Sequence, residues 1–386
     1  MQNVYKYNAY LQYTYNGKDI VFDNTNILSF SIEYDYDNKN MPIILLIAAI
    51  DKKIVDDMIT NKNKKIIFNV TRFIENSNMQ FKRKYIYKEF TYFISGDLNN
   101  TDDLDYETNK NPDVYRKITI GLMDQELIDN NKKIVNEIAK DTTLINLLAT
   151  HLSHMKLLIE PVNPVKINNL LIPYMNTISN FIKYLNDNYA IYDTKYRLFY
   201  DFDKTYLLSS SGKVVESTDD DINTVVINIV SNTDENNGIQ GMYTDEQRKM
   251  HILDIVINNI TMSENESEYR SYDNIISIDS MGNTSTASIG STFNTNTKIV
   301  RTNIPNYASK VKNEIANSSI LLSVIKEGID TTALTMNKQY IVQNYDRLKD
   351  KDRNGVFILS KKREIYTRDG EDYSLNCVLS LRKAMS

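Results

Sequence analysis

The sequence predicts a mainly β protein interrupted by an α+β insertion, and three observations predict it. Tyrosine and isoleucine, which suit a pleated surface, are abundant; the 386 residues include 27 tyrosines and no tryptophan. The N-terminal part breaks into apolar runs joined by turn residues, and the last segment alternates strictly between two faces. Between them lies a stretch with helical spacing, broken by Pro161 and Pro164.

Taken in order, residues 11–15 and 19–22 read as a hairpin, because Asn16-Gly17 supplies the positive φ angles of a type I′ turn. A strand follows at 27–36. The apolar run 43–50 (IILLIAAI) reads as a buried strand, and residues 51–60 have short-helix character. Residues 65–73 and 85–95 are further strands, 97–112 an Asn/Asp-rich exposed loop, and 115–122 the strand that closes a first β region. Helical spacing marks 124–139 and 144–152. Asn176-Thr177 caps a helix whose Ile178, Phe181, Ile182 and Leu185 share one face. Strands are expected at 190–193, 197–202 and 205–208, completing a small α+β insertion.

From Asp221 strand patterns return at 224–230 and 251–256, with a turn at Asn236-Asn237-Gly238. The Ser/Thr/Asn/Gly tract 280–297 holds almost no core-forming residues and reads as an exposed loop. Strands are expected at 320–325, 339–342, 356–360 and 364–367. At the end, Tyr373, Leu375, Cys377, Leu379 and Leu381 point one way while Ser374, Asn376, Val378, Ser380 and Arg382 point the other, after a turn at Asp369-Gly370.

Composition narrows the function classes. Hydrophobic content of 41% and charged content of 25% are ordinary for a folded soluble chain. The net charge is −5, and the lysine patches at 62–65 and 82–84 form no basic stripe interleaved with aromatics, which argues against stable nucleic-acid binding. One cysteine, Cys377, allows no internal disulfide. The N-terminus lacks the layout of a signal peptide, and the 43–50 run is too short to span a bilayer. A soluble protein made in a reducing cytoplasm is expected.

No residue set points to catalysis. His151 and His154 stand i, i+3 with Glu160 nearby, a spacing that permits a shared metal, but no HExxH motif is present and two polar helix residues explain them more simply. His251 stands alone. Asp350, Asp352, Asn354 and Gly355 match the first half of a calcium loop, yet its twelfth position is Lys361 where a bidentate Glu is required, and a hairpin turn accounts for Asn354-Gly355. Asp219-Asp220-Asp221 reads as a solvated turn. Ser209-Ser210-Ser211-Gly212 is not a nucleophile elbow, and no phosphate loop occurs. Cys377 alternates with core residues and reads as an inert thiol. The expectation is therefore no enzyme, no catalytic or metal residues and no cofactor.

Two stretches carry a resemblance to a known family. Residues 172–212 (IPYMNTISNFIKYLNDNYAIYDTKYRLFYDFDKTYLLSSSG) resemble the insertion of contractile-tail phage baseplate hub proteins. The C-terminal SVIKEGIDTTALTMNKQYIVQN and NGVFILSKKREIYTRDGEDYSLNCVLSLRKA resemble their closing strands, so the likeness extends over residues 130–386. It implies two tube-like antiparallel β-barrel domains flanking a small mixed domain, with residues 1–122 as the first, 123–220 as the insertion and 221–386 as the second. It also implies a homotrimer in the virion baseplate, assembled in the host cytoplasm. There the ring would join the six-fold tail tube to the three-fold central spike and line the DNA channel. The implied partners are the tail tube protein, the spike, the tape-measure protein and baseplate wedge proteins. DNA would pass without specific binding, and no stable membrane association is implied. Other readings are a tube-initiator or wedge protein, a cell-wall-directed tail enzyme or sugar-binding module, or a cellular protein of contractile injection systems, which share the hub architecture.

Overall fold

The structure, a computed structural model, describes residues 5–74, 83–95, 110–111, 113–152, 156–216, 222–230, 242–256, 260–264, 274–279, 281–288, 297–302, 304–309, 320–327, 329–344 and 354–384. The expected turn at 236–238 and nearly all of the loop at 97–112 lie outside these residues. The first third contains β1 (Tyr5–Tyr15), β2 (Lys18–Phe22), β3 (Ile27–Asp35), β4 (Ile43–Asp51), α1 (Lys52–Thr60), β5 (Ile66–Ile74), β6 (Arg83–Ser95) and β7 (Tyr115–Asp124). The middle contains α2 (Gln125–Asn131), β8 (Val135–Thr143), α3 (Leu144–Leu152), β9 (Lys156–Ile159), β10 (Lys166–Met175), α4 (Ile178–Tyr189), β11 (Tyr196–Tyr200) and β12 (Lys204–Ser209). The last part contains β13 (Thr224–Val230), β14 (Met242–Asp245), β15 (Met250–Val256), β16 (Ile260–Glu264), β17 (Asn274–Ile278), β18 (Thr284–Ser288), β19 (Thr297–Arg301), β20 (Ile320–Glu327), β21 (Gln339–Asn344), β22 (Gly355–Asp369) and β23 (Asp372–Lys383).

Local chemistry accounts for several of these elements directly. Asn16 and Gly17 sit at φ 48° and 73°, so β1 and β2 close through the left-handed turn that this dipeptide favours. The Asp51 side chain accepts from the Lys53 amide and caps α1, and Thr177 caps α4 through the Asn180 amide. The alternation read at the C-terminus is β23, whose Tyr373, Leu375, Cys377, Leu379 and Leu381 are all at most 2% exposed.

The two expected barrel domains are not what these strands build. Fifteen of the described strands form one mixed sheet in the order β14-β15-β13-β21-β22-β3-β4-β7-β6-β5-β1-β23-β20-β16, with β2 on β1 and a further β22–β23 pairing. The sheet is not closed into a barrel, and its path ends on β14 at one side and β16 at the other. Nor is it divided between the chain's halves, because β22 pairs with β3 from Lys361↔Asp35 to Thr367↔Ser29. The length of β22 explains the merger. Its fifteen residues meet β21 at the start, β3 further on, and β23 throughout. Purely antiparallel order also fails, since β13 runs parallel to both β15 and β21. Between β1 and β23 the register holds one pair, Tyr7↔Tyr373, so that contact is a point and not a ladder.

Within β22 the register shifts between Leu359 and Lys361, which leaves Ser360 in a bulge. One extra residue reverses which side chains face inward. Phe357 and Leu359 face the core before it; Lys362, Glu364 and Tyr366 face it afterwards. Tyr366 stacks on Phe30 with centroids 4.2 Å apart, and Tyr373 donates to the Ile27 carbonyl at 2.7 Å. Lys362 and Glu364 are a buried ion pair at 3.1 Å, with the ammonium 4.2 Å from the centre of the Tyr34 ring. The two expected strands 356–360 and 364–367 are thus one bulged strand.

In the middle of the chain, three expectations change. Helix α2 stops at Asn131, and residues 135–143 form β8 instead of continuing the helix to 139. Val135 and Ala139 are buried there while Asn136 and Ile138 are exposed, a strand pattern set by pairing with β10. Residues 190–193 form no strand; Ala190 takes φ 53° and terminates α4, and Ile191 and Tyr192 anchor the bend that follows. Strands β9 and β10 had no counterpart in the sequence reading. The β8–β10 pair packs its buried face on α3 and α4 around Leu147, Leu148, Phe181 and Ile182.

The tract 280–297 is not wholly a loop either. Its residues Thr284–Ser288 are β18, antiparallel to β17, which in turn pairs in parallel with β19. Ala287 of this strand is buried in a small cluster with Ile275, Val300, Tyr307 and Ala190. Residues 280 and 289–296 lie outside the described set. Among the described residues, no helix is long and apolar enough to cross a membrane.

Candidate functional site

The distinctive arrangement is the layer made by β9, β11 and β12. Apart from Tyr196 and Lys204, which are partly exposed, every residue of β11 and β12 is buried, so this short sheet has no solvent face. Alternation resolves the two sides. Leu198, Tyr200 and Leu207 face the helical middle of the chain, whereas Phe199, Tyr206 and Leu208 face the large sheet. The Phe199 ring meets Tyr36 edge-on with centroids 4.6 Å apart. This is why residues 196–209 read as an uninterrupted Tyr/Leu/Phe run: a strand buried on both faces has no reason to alternate.

Polar groups pin this layer to the terminal hairpin. Arg197 is buried on the sheet-facing side and donates from Nη1 to the Leu359 carbonyl at 2.8 Å, beside the β22 bulge. Arg382 of β23 donates to Ser210 Oγ at 3.1 Å and faces Asp37 Oδ1 at 3.4 Å. The Ser360 hydroxyl of the bulge donates to the other Asp37 oxygen. Burial works against ionising Asp37, but Arg382 and Arg197 outweigh it and hold its carboxyl below the usual range. Burial pushes Arg197 down to about 10 in spite of Asp37. One carboxylate thus compensates two buried guanidiniums, across three separate stretches of chain.

A second anchor lies at the end of β12. Glu160 accepts from the Ser209 amide at 2.8 Å, and Lys213 approaches it at 3.8 Å. Gly212 then turns the chain at φ 70° in a space where an added Cβ would lie 2.7 Å from the Ala384 Cβ. The Asn40 side chain donates to Ser179 Oγ at 2.6 Å while its carbonyl accepts from the Tyr200 amide at 2.7 Å, tying the β3–β4 turn to α4 and β11. On the other flank, Asn163 donates to Thr302 Oγ1 at 3.0 Å and holds the β17–β19 sheet against α4.

Among the described residues, none of those weighed for chemistry assembles into a reactive centre. His151 pairs with Glu137 at 3.0 Å and packs edge-on against Phe181, while Glu160 is engaged elsewhere; His154 is outside the described residues. His251 contacts Thr244 Oγ1 at 3.1 Å. Asp350, Asp352 and Asp219–Asp221 fall outside the described residues. Gly355 opens β22, and Lys361 pairs with Asp35 at 3.1 Å. Cys377 is fully buried, and that burial, reinforced by Glu364, pushes its thiol well above the usual range. Among the described residues, no group of three or more His, Cys, Asp or Glu is placed to hold a metal ion. An open cleft of about 370 Å³ beside α2 is spanned by Lys88, which reaches Asp124 at 2.9 Å. The Asp37–Arg382–Arg197 cluster went unread in the sequence. Its one visible signal is a charged residue inside an apolar run, Arg197 between Tyr196 and Leu198.

Comparison with known proteins gives three results. A family model described as Bacteriophage PBS1 gene 109 protein matches residues 3–384. No curated protein matches the chain. Solved structures of similar fold include the 43 kDa tail protein of prophage MuSo2 from Shewanella oneidensis, at 10% identity and TM-score 0.50, covering 99% of this chain and 97% of that one. The tail protein from Neisseria meningitidis MC58 is 10% identical at TM-score 0.49, covering 98% and 96% of the two chains. The Francisella PdpA-VgrG complex gives 12% identity and TM-score 0.47, covering 99% of this chain and 53% of that chain. The MuSo2 likeness shows a shared fold across nearly the whole of both chains.

Proposed function

Because the chain belongs to the Bacteriophage PBS1 gene 109 protein family, we propose that it is a structural component of a phage-like contractile tail and, within the baseplate, its hub. Three copies form a ring that joins the six-fold tail tube to the three-fold central spike. The observation that carries this reading is the end-to-end fold likeness to a prophage tail protein. The site geometry agrees with it. The buried polar groups at the β11–β12 layer are committed to fixing one part of the chain on another, and a hub requires rigid interfaces, not catalysis.

In this reading residues 123–220 act as a unit set on the large sheet through the buried layer. The tail tube protein, the spike and the tape-measure protein are the partners, with wedge proteins at the periphery. The chain resides in the virion tail after assembly in the host cytoplasm. Its net charge of −5 suits a channel wall along which DNA passes without adhering. Closing copies into a ring also satisfies strand edges that would otherwise be open to pairing.

The test is mass in solution. Light scattering of the full chain, alone and with tail tube and spike proteins, should give three times the monomer mass for the chain alone or the mass of a complex that holds three copies of it. A monomer under every condition overturns the hub reading.

A further inference from the structure

The outer face of the β8–β10 pair is unlike that of an ordinary half-buried sheet. An antiparallel pair with one face on helices normally turns polar side chains to water. Here Ile138 and Leu171 stand directly opposite each other in the register and are 62% and 67% exposed. Tyr174 at 63% and Ile134 at 61% extend the same strip toward the start of β8. The buried face lies on α3 and α4, and among the described residues nothing covers the outer strip. Contiguous exposed apolar surface of this kind marks a contact site.

Charge and backbone narrow the occupant. Exposed Lys132 and Lys133 lead into Ile134 at one end of the strip, and exposed Lys140 and Lys166 stand at the other. The two strands carry only two carboxylates, Glu137 and Asp141, and Glu137 is taken by His151 at 3.0 Å. A molecule with net charge −5 therefore presents a locally positive frame around an apolar strip. Among the described residues only β8 and β10 pair in this sheet, so each has an edge with no described strand beside it. Pro173 removes an amide from β10, whereas β8 contains no proline and keeps its donors.

We propose that the β8–β10 face and the free edge of β8 bind an extended segment of a different protein, apolar at its centre and carrying carboxylates at both ends. The segment adds as a third strand beside β8, its apolar side chains packing on Ile138 and widening the strip that Leu171 and Tyr174 continue on β10, and its terminal carboxylates meeting the lysine pairs. Within the tail reading this names the chemistry of one partner. It rests on that reading only for where the partner is found, and its test is independent of the trimer mass.

The probe is a fluorescent peptide of alternating valine and threonine with a pair of glutamates at each end, titrated into the full-length chain at low salt. A control peptide carries lysine pairs instead. The glutamate peptide should bind, with the control about tenfold weaker or more. Ile138→Asp, beside the added strand, should abolish binding. Because Ile138 is exposed, the melting temperature should stay unchanged. The double variant Lys132→Glu/Lys133→Glu should shift preference toward the lysine peptide, which loss of folding would not do. Equal binding of the two peptides, or unaltered binding by Ile138→Asp, overturns the proposal. So does a change in oligomeric state on Ile138→Asp, because the occupant would then be a second copy of this chain.

Discussion

Replacing Asp37 by alanine tests the cluster that fixes the β11–β12 layer on the terminal hairpin. Asp37 is largely buried, its side chain 11% exposed, and the Arg382 side chain beside it is 8% exposed. Arg197 is buried in the same place and draws on the same carboxylate. Removing that carboxylate takes from Arg382 its ion-pair partner and leaves Arg197 only the weaker pull of Glu160, a change that costs about 3–5 kcal/mol when one partner of a buried pair is deleted. Unfolding entropy for a chain of this length is about 0.8 kcal/mol per degree, so the melting temperature should fall by about 4–6 °C. Arg382→Met in the Asp37→Ala background should recover part of the loss, because one uncompensated charge is then gone; the pair should couple by about 1 kcal/mol or more. The pH dependence has a fixed sign. Asp37 is more acidic in the folded chain than its ordinary value of 3.8, so its contribution is complete above that value and is lost as pH falls through the lower folded value. The stability curve of Asp37→Ala should therefore be flatter below about pH 4 than that of the parent. A melting temperature within a degree of the parent, or strict additivity with Arg382→Met, would refute the reasoning.

Other substitutions separate the remaining contributions. Gly17→Ala introduces a Cβ at φ 73° with nothing within 4 Å, so it should cost about 1 kcal/mol from backbone strain alone. Gly212→Ala adds to comparable strain an approach of 2.7 Å to Ala384 and should lower the urea midpoint more, by about 2–3 kcal/mol in stability. Thr177→Ala removes the α4 cap and should cost about 1 kcal/mol by the same assay. The Cys377 thiol should resist a disulfide reagent at mildly alkaline pH and react fully once the chain is unfolded in denaturant; rapid reaction in the native state would contradict its burial.

Local signals in the sequence were reliable where a turn, a cap or a strict polar–apolar alternation marks the element. Asn16-Gly17, the Thr177 cap and the β23 alternation all state a geometry that neighbouring residues alone determine. What they do not state is which strand lies beside which. The barrel expectation failed at that level: Phe30 contacts Tyr366 and Tyr373 from the far end of the chain, and those contacts join both halves in one sheet. Strand β10 was missed for a different reason. Its NNLLIPYM run turns Leu171 and Tyr174 outward as well as Leu170 and Ile172 inward, so period-two contrast is lost. The helical reading of 124–139 failed because a short capped helix and a strand share the same apolar residues until pairing with β10 decides between them.

The buried layer at 196–209 connects these points. A strand with both faces covered loses the pattern by which sequence reveals orientation, and its polar groups must then be satisfied by distant parts of the chain. Arg197, Glu160 and Ser210 find their partners on β22, β12 and β23 respectively. Such a layer cannot slide: moving it by one residue would exchange the faces of Phe199 and Tyr200 and strand Arg197 among the apolar side chains packed on α4. The polar cluster therefore fixes register as well as attachment. A register fixed in this way holds the middle of the chain on the large sheet in a single position.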